Sequence, residues 1–98
     1  MSPFLLKLSP HARQDFIDIL RYTGETWGQN QLLTYRDKIS DALKAISHNP
    51  QLGRHRDDLP STHLAYWVGS HIIIYRTDAD SLSVVRILHQ RMSLTKHI

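Results

Sequence analysis

Tyr75, Arg76, Arg86, His89 and Arg91 crowd the last quarter of the chain, and these are residue types that can handle a phosphate. An imidazole can pass a proton during RNA cleavage while guanidinium groups stabilise the charge that builds on the phosphoryl oxygens. The same groups can instead form an electrostatic contact patch for an anionic partner, without chemistry. A third reading is a solvated basic edge, with Arg76 and Arg86 discouraging strand pairing. The contact patch is the leading reading. Arg86 and His89 fall on opposite faces of a regular strand, and catalysis requires that strand to end or bulge before His89.

Other chemistries are thinly represented. Cysteine is absent, which removes disulfides, thiolate metal sites and cysteine nucleophiles. The seven histidines include no helical pair with an intervening glutamate, so no metal site is expected. Gly24, Gly28, Gly53 and Gly69 are isolated, giving no phosphate loop. No serine sits in a Gly-x-Ser-x-Gly elbow, and no cofactor is expected.

At 98 residues the chain has room for one domain, spanning 1–98. Its net charge is +3, and the residues after Asp80 include Arg86, Arg91 and Lys96 but no acid. That imbalance suits an anionic partner. No apolar run is long enough for a membrane span and the opening residues lack a secretory pattern, so a cytoplasmic location is expected.

The elements that must position these groups follow from periodicity. Phe4, Leu6 and Leu8 alternate as in a half-buried strand. Ser9-Pro10 then reads as a helix cap with proline in the first helical position. Ala12, Phe16, Ile19, Leu20, Thr23 and Trp27 recur at helical spacing up to Gly28. A second helical stripe, Leu32, Tyr35, Ile39, Ala42, Leu43 and Ile46, must stop before Pro50. Residues 50–61 have loop composition, and runs at 63–68, 71–76 and 82–88 read as strands joined by tight turns. The expected class is α+β in the order β-α-α-β-β-β, a helical hairpin packed on one face of a small antiparallel sheet.

Phe16, Ile19, Leu20, Leu32, Tyr35, Ile39 and Leu43 are expected in the core, with Trp27 packed at the helical corner. Two helices cover one sheet face, yet apolar residues occupy both. Either loops or a partner must cover the second face, and the partner reading is preferred for so short a chain.

The element order, Trp27-Gly28 between the helices, Asn49-Pro50-Gln51-Leu52-Gly53-Arg54 after them, and the closing Val85-Arg86-Ile87-Leu88-His89-Gln90-Arg91-Met92 together resemble ParE toxins of the RelE/ParE superfamily. The likeness covers nearly the whole chain. It departs at Gln90, where relatives commonly have glycine, and at Ser93, where they have an acid. The resemblance implies the toxin of a type II toxin–antitoxin pair, held in a hetero-oligomer by a small acidic, partly disordered antitoxin. Ile73, Tyr75, Val85 and Ile87 are the expected antitoxin contacts. Poisoning of DNA gyrase is the implied activity, without catalytic residues, and Arg54, Arg76, Arg86, His89 and Arg91 are the expected target contacts. RelE-like relatives instead cut ribosome-bound mRNA, in some through a Glu–Arg–His set; Arg86 and His89 resemble part of it. Glu25, the only glutamate, lies in the first helix pattern.

Overall fold

The computed structural model describes residues 3–98. Ser9 fixes the start of α1 (Pro10–Trp27): its hydroxyl accepts from the Ala12 N–H, and Pro10 takes the first helical position. The helix ends at Gly28, whose φ of 93° is costly for any side-chain-bearing residue, and α2 (Gln29–His48) begins at once. Pro50 then stops α2 and opens a 3-10 turn, Pro50–Leu52.

The strands β1 (Leu5–Leu8), β2 (Leu64–Val68), β3 (His71–Thr77) and β4 (Ser81–His89) form one sheet in the order β1-β4-β3-β2. The α+β class and element order are as expected, and the β2-β3-β4 meander is antiparallel. β1 differs: it pairs with β4 in parallel, from Leu5 opposite Ser81 to Leu8 opposite Val84. A helical hairpin follows β1, so no tight turn sets that strand's direction.

The hairpin covers one face, where Ala12, Ile39, Leu43 and Ile46 pack on sheet residues. Of the seven expected core positions Ile39 and Leu43 are fully buried and the other five half-buried. The opposite face is closed by the chain itself. Leu59, from the loop before β2, and Leu94, from the C-terminal turn α3 (Leu94–His97), close over Ile72, Ile74 and Leu88. Two leucines delivered by loop and tail thus do what was expected of a partner.

This arrangement corrects the expected antitoxin surface. Ile73, Tyr75 and Ile87 point under the helices, none more than 2% exposed, and only Val85 packs on the far side, half-buried. Tyr75 has an internal task instead. Its hydroxyl donates to the Pro50 carbonyl and accepts from the Gly53 N–H at 2.9 Å, anchoring the loop that carries Arg54.

Candidate functional site

β4 is irregular at the point that matters. Tyr75 pairs with Val84, but its neighbour Ile74 pairs with Arg86, leaving Val85 as an extra residue in a bulge. The bulge lies before His89, yet Arg86 and His89 both follow it and remain three residues apart. Their surroundings differ accordingly.

Arg86 sits where β1 has ended and α1 runs beside β4. Its Nε and Nη2 donate to the two Asp15 carboxylate oxygens, each at 2.8 Å, and Nη1 donates to the His97 carbonyl at 2.9 Å. Asp15 also accepts from the Ile87 N–H at 3.0 Å, so one carboxylate caps the strand edge and holds the guanidinium. Both side chains are well covered, at 17% and 14% exposure. These hydrogen bonds and the Asp15 charge raise the Arg86 pKa above its usual value. The guanidinium thus ties β4, α1 and the C-terminal turn together, and the outward contact expected of it is not available.

His89 looks elsewhere. The extra residue brings it directly opposite His71 at the start of β3, with the rings edge to face and 5.3 Å apart. The Tyr35 hydroxyl of α2 lies 2.6 Å from His71 Nδ1 and accepts from the Ser70 N–H at 3.3 Å. His89 Nδ1 accepts from the Arg91 N–H at 3.1 Å. Burial, and secondarily the nearby His89, hold the His71 pKa down to about 4, so this ring is neutral at physiological pH. Desolvation raises the Tyr35 pKa, keeping its hydroxyl protonated.

These groups floor a cleft of about 490 Å³ between the helical hairpin and the end of the sheet. Tyr22 and Trp27 stand at its rim, 66% and 71% exposed. Trp27 therefore does not pack into the helical corner as expected.

The remaining expected contacts do not gather here. Arg91 is exposed just beyond His89, whereas Arg76 lies at the far end of β3, beside His63, whose pKa is lowered by burial and by the Arg76 charge. Arg54, outside the named strands, bridges to Ala65 of β2. The basic set thus divides between two ends of the sheet. The sequence pattern does not single out Tyr35, His71 or Asp15: Tyr35 falls on the apolar stripe of α2, His71 opens a strand run and Asp15 lies off the apolar stripe of α1. Among the described residues no cluster of three or more metal-ligating side chains occurs, and no helix is long and apolar enough to cross a membrane.

Residues 6–94 match the family model described as ParE toxin of type II toxin-antitoxin system, parDE. The chain is 29% identical over its full length to Toxin ParE1 of Caulobacter vibrioides, covering 99% of that protein. It is 33% identical over 92 residues to Toxin ParE1 of Mycobacterium tuberculosis, spanning 93% of this chain and 94% of that one. Among solved structures, a chain from the chromosomal ParDE system of P. aeruginosa superposes with a TM-score of 0.76 at 16% identity, covering 88% of this chain and 95% of that one. A chain of the RelBE2 toxin–antitoxin complex of M. tuberculosis gives 0.64 at 18% identity, covering 90% and 99%. At such identities the structural likeness speaks for the fold, while the near-complete family match and the curated relatives speak for descent: this chain belongs to the ParE toxin family of type II toxin–antitoxin systems.

Proposed function

We propose that the chain arrests growth by binding and poisoning DNA gyrase, and that a small acidic antitoxin neutralises it in a hetero-oligomer. Family membership supports the antitoxin, as do the toxin–antitoxin complexes of similar fold. The observation that carries the non-catalytic reading is the Arg86 guanidinium, whose three nitrogens are already engaged by Asp15 and the His97 carbonyl. With that arginine committed to Asp15, a Glu–Arg–His set lacks the guanidinium it would use to stabilise a cleaving phosphate, and the sole glutamate, Glu25, lies in α1. His89 and Arg91 then serve as a contact edge, supplemented by Arg54 and Arg76 at the other end of the sheet.

Ribosome-dependent mRNA cleavage is the second reading. It is favoured by the His71–His89 pair and the Tyr35 hydroxyl, groups able to transfer protons at an open cleft. One preparation of the purified chain separates the two in parallel assays of gyrase supercoiling and of cleavage of ribosome-bound mRNA. Loss of supercoiling with intact mRNA is expected. Codon-positioned cleavage that falls by about 10²–10⁴ in His89→Ala, with binding retained, would replace the gyrase reading by the nuclease.

A further inference from the structure

Two large aromatic side chains of α1 lie outside the core. Trp27 and Tyr22 are left 71% and 66% exposed on the rim of one concave surface. The cleft behind them, about 490 Å³, falls within the usual range for small-molecule sites. Its floor carries polar groups with fixed directions. His89 Nδ1 accepts from the Arg91 N–H, so the proton of the neutral ring resides on Nε2, which is a donor.

His71 is adaptable. Its Nδ1 meets the Tyr35 hydroxyl, which can donate to it or accept from it while turning its own hydrogen toward the Val68 carbonyl at 3.4 Å. The first arrangement leaves His71 Nε2 a donor and the second an acceptor. A fixed donor beside an adaptable group, with the Gln31 amide on the same wall, matches the mixed donor and acceptor edge of a nucleobase. An exposed indole supplies the stacking surface that recognition of unpaired bases employs.

We propose that this cleft holds a nucleobase, carried by a free nucleotide or by an unpaired strand, stacked on Trp27 and hydrogen-bonded by His71 and His89. Charge fits a ligand that bears phosphate. Arg91 adjoins His89, and the chain after Asp80 contains no acid. The one carboxylate on the cleft wall, Asp18, lies 3.7 Å from the Arg21 guanidinium. The inference does not depend on the gyrase reading, because it is tested on the isolated chain.

Replacing Trp67 by Phe leaves Trp27 as the only indole, and its fluorescence can be titrated with AMP, ribose 5-phosphate, a short single-stranded oligodeoxyadenylate and N-acetyl-tyrosinamide. Saturable quenching by AMP or the oligonucleotide is expected, with none by ribose 5-phosphate. Tighter binding of the oligonucleotide identifies a base within a strand as the ligand, and equal binding a free nucleotide. His89→Ala in the same background, with folding verified by circular dichroism, is expected to weaken binding about 3–10-fold, the loss of one hydrogen bond. Absence of saturation with both AMP and the oligonucleotide, or quenching by ribose 5-phosphate equal to that by AMP, would overturn the proposal. Preferential quenching by N-acetyl-tyrosinamide would overturn it in favour of an aromatic side chain from a protein partner.

Discussion

Arg86 and His89 are three residues apart on one strand, yet they occupy opposite kinds of environment. Each nitrogen of the Arg86 head group donates to Asp15 or to the His97 carbonyl in a largely covered site. His89 is held only through Nδ1 and opens onto a cleft with His71 and two exposed aromatics. A charge with its partners built in stabilises the fold; a polar group whose remaining atoms face a cavity is available to a ligand. Residue type alone would have paired the two.

The largest expected effect comes from breaking the closed site. Arg86→Ala leaves the Asp15 carboxylate covered without its cation, and is expected to cost about 3 kcal/mol in urea unfolding. A loss below about 0.5 kcal/mol would show that the pair behaves like an exposed one and would remove the contrast.

At the open end, Gly69→Ala tests the scaffold of the cleft. Gly69 has φ 56°, and an added Cβ would lie 2.7 Å from the Tyr35 hydroxyl oxygen. Strain and displacement of Tyr35 should together cost about 1–3 kcal/mol. A matching change in the His71 ring resonances by NMR would establish that Tyr35 orients that ring.

His71 also gives the open end a pH signature. The unfolded chain binds its proton near the ordinary histidine pKa of 6.5, whereas the folded chain keeps the ring neutral down to about 4. Between those values the unfolded state holds more protons, so stability should fall on acidification through that window and change little from this source above it. Tyr35 and His89 are the groups facing the ring. His71→Phe should flatten that part of the stability profile. An unchanged slope would place the titration elsewhere. The smallest effect is expected for His89→Ala, within about 0.5 kcal/mol of the parent, because the ring is half-exposed and makes one local hydrogen bond.

The legibility of these features in the sequence differs for identifiable reasons. Ser9-Pro10, Gly28 and Pro50 act locally, so the helix ends could be read directly. The His71–His89 pair could not, because regular pairing continued from Thr77 opposite Leu82 would set His71 against Leu88. The extra residue Val85 changes that partner to His89. Nothing in the composition of Ser83-Val84-Val85-Arg86 announces a bulge. Asp15 was equally hidden: it looks like any acid on a helical surface until β1 ends early and exposes the edge of β4 to it. The cover that the chain itself supplies to the second sheet face is equally hard to read, because single leucines such as Leu59 and Leu94, set in polar surroundings, carry no periodic signal.

The division between the two sites is tested most directly by gyrase supercoiling with the double variant Asp15→Leu/Arg86→Met. Replacing a covered ion pair by apolar side chains of similar size commonly preserves or raises stability, which offsets the loss of the Asp15 bond to the Ile87 N–H, so this variant should fold. It is expected to inhibit supercoiling as the parent does, while His89→Ala and Arg91→Ala weaken inhibition in a graded, salt-sensitive manner. A folded double variant that no longer inhibits gyrase, beside a fully active His89→Ala, would contradict the account and return Arg86 to the contact surface.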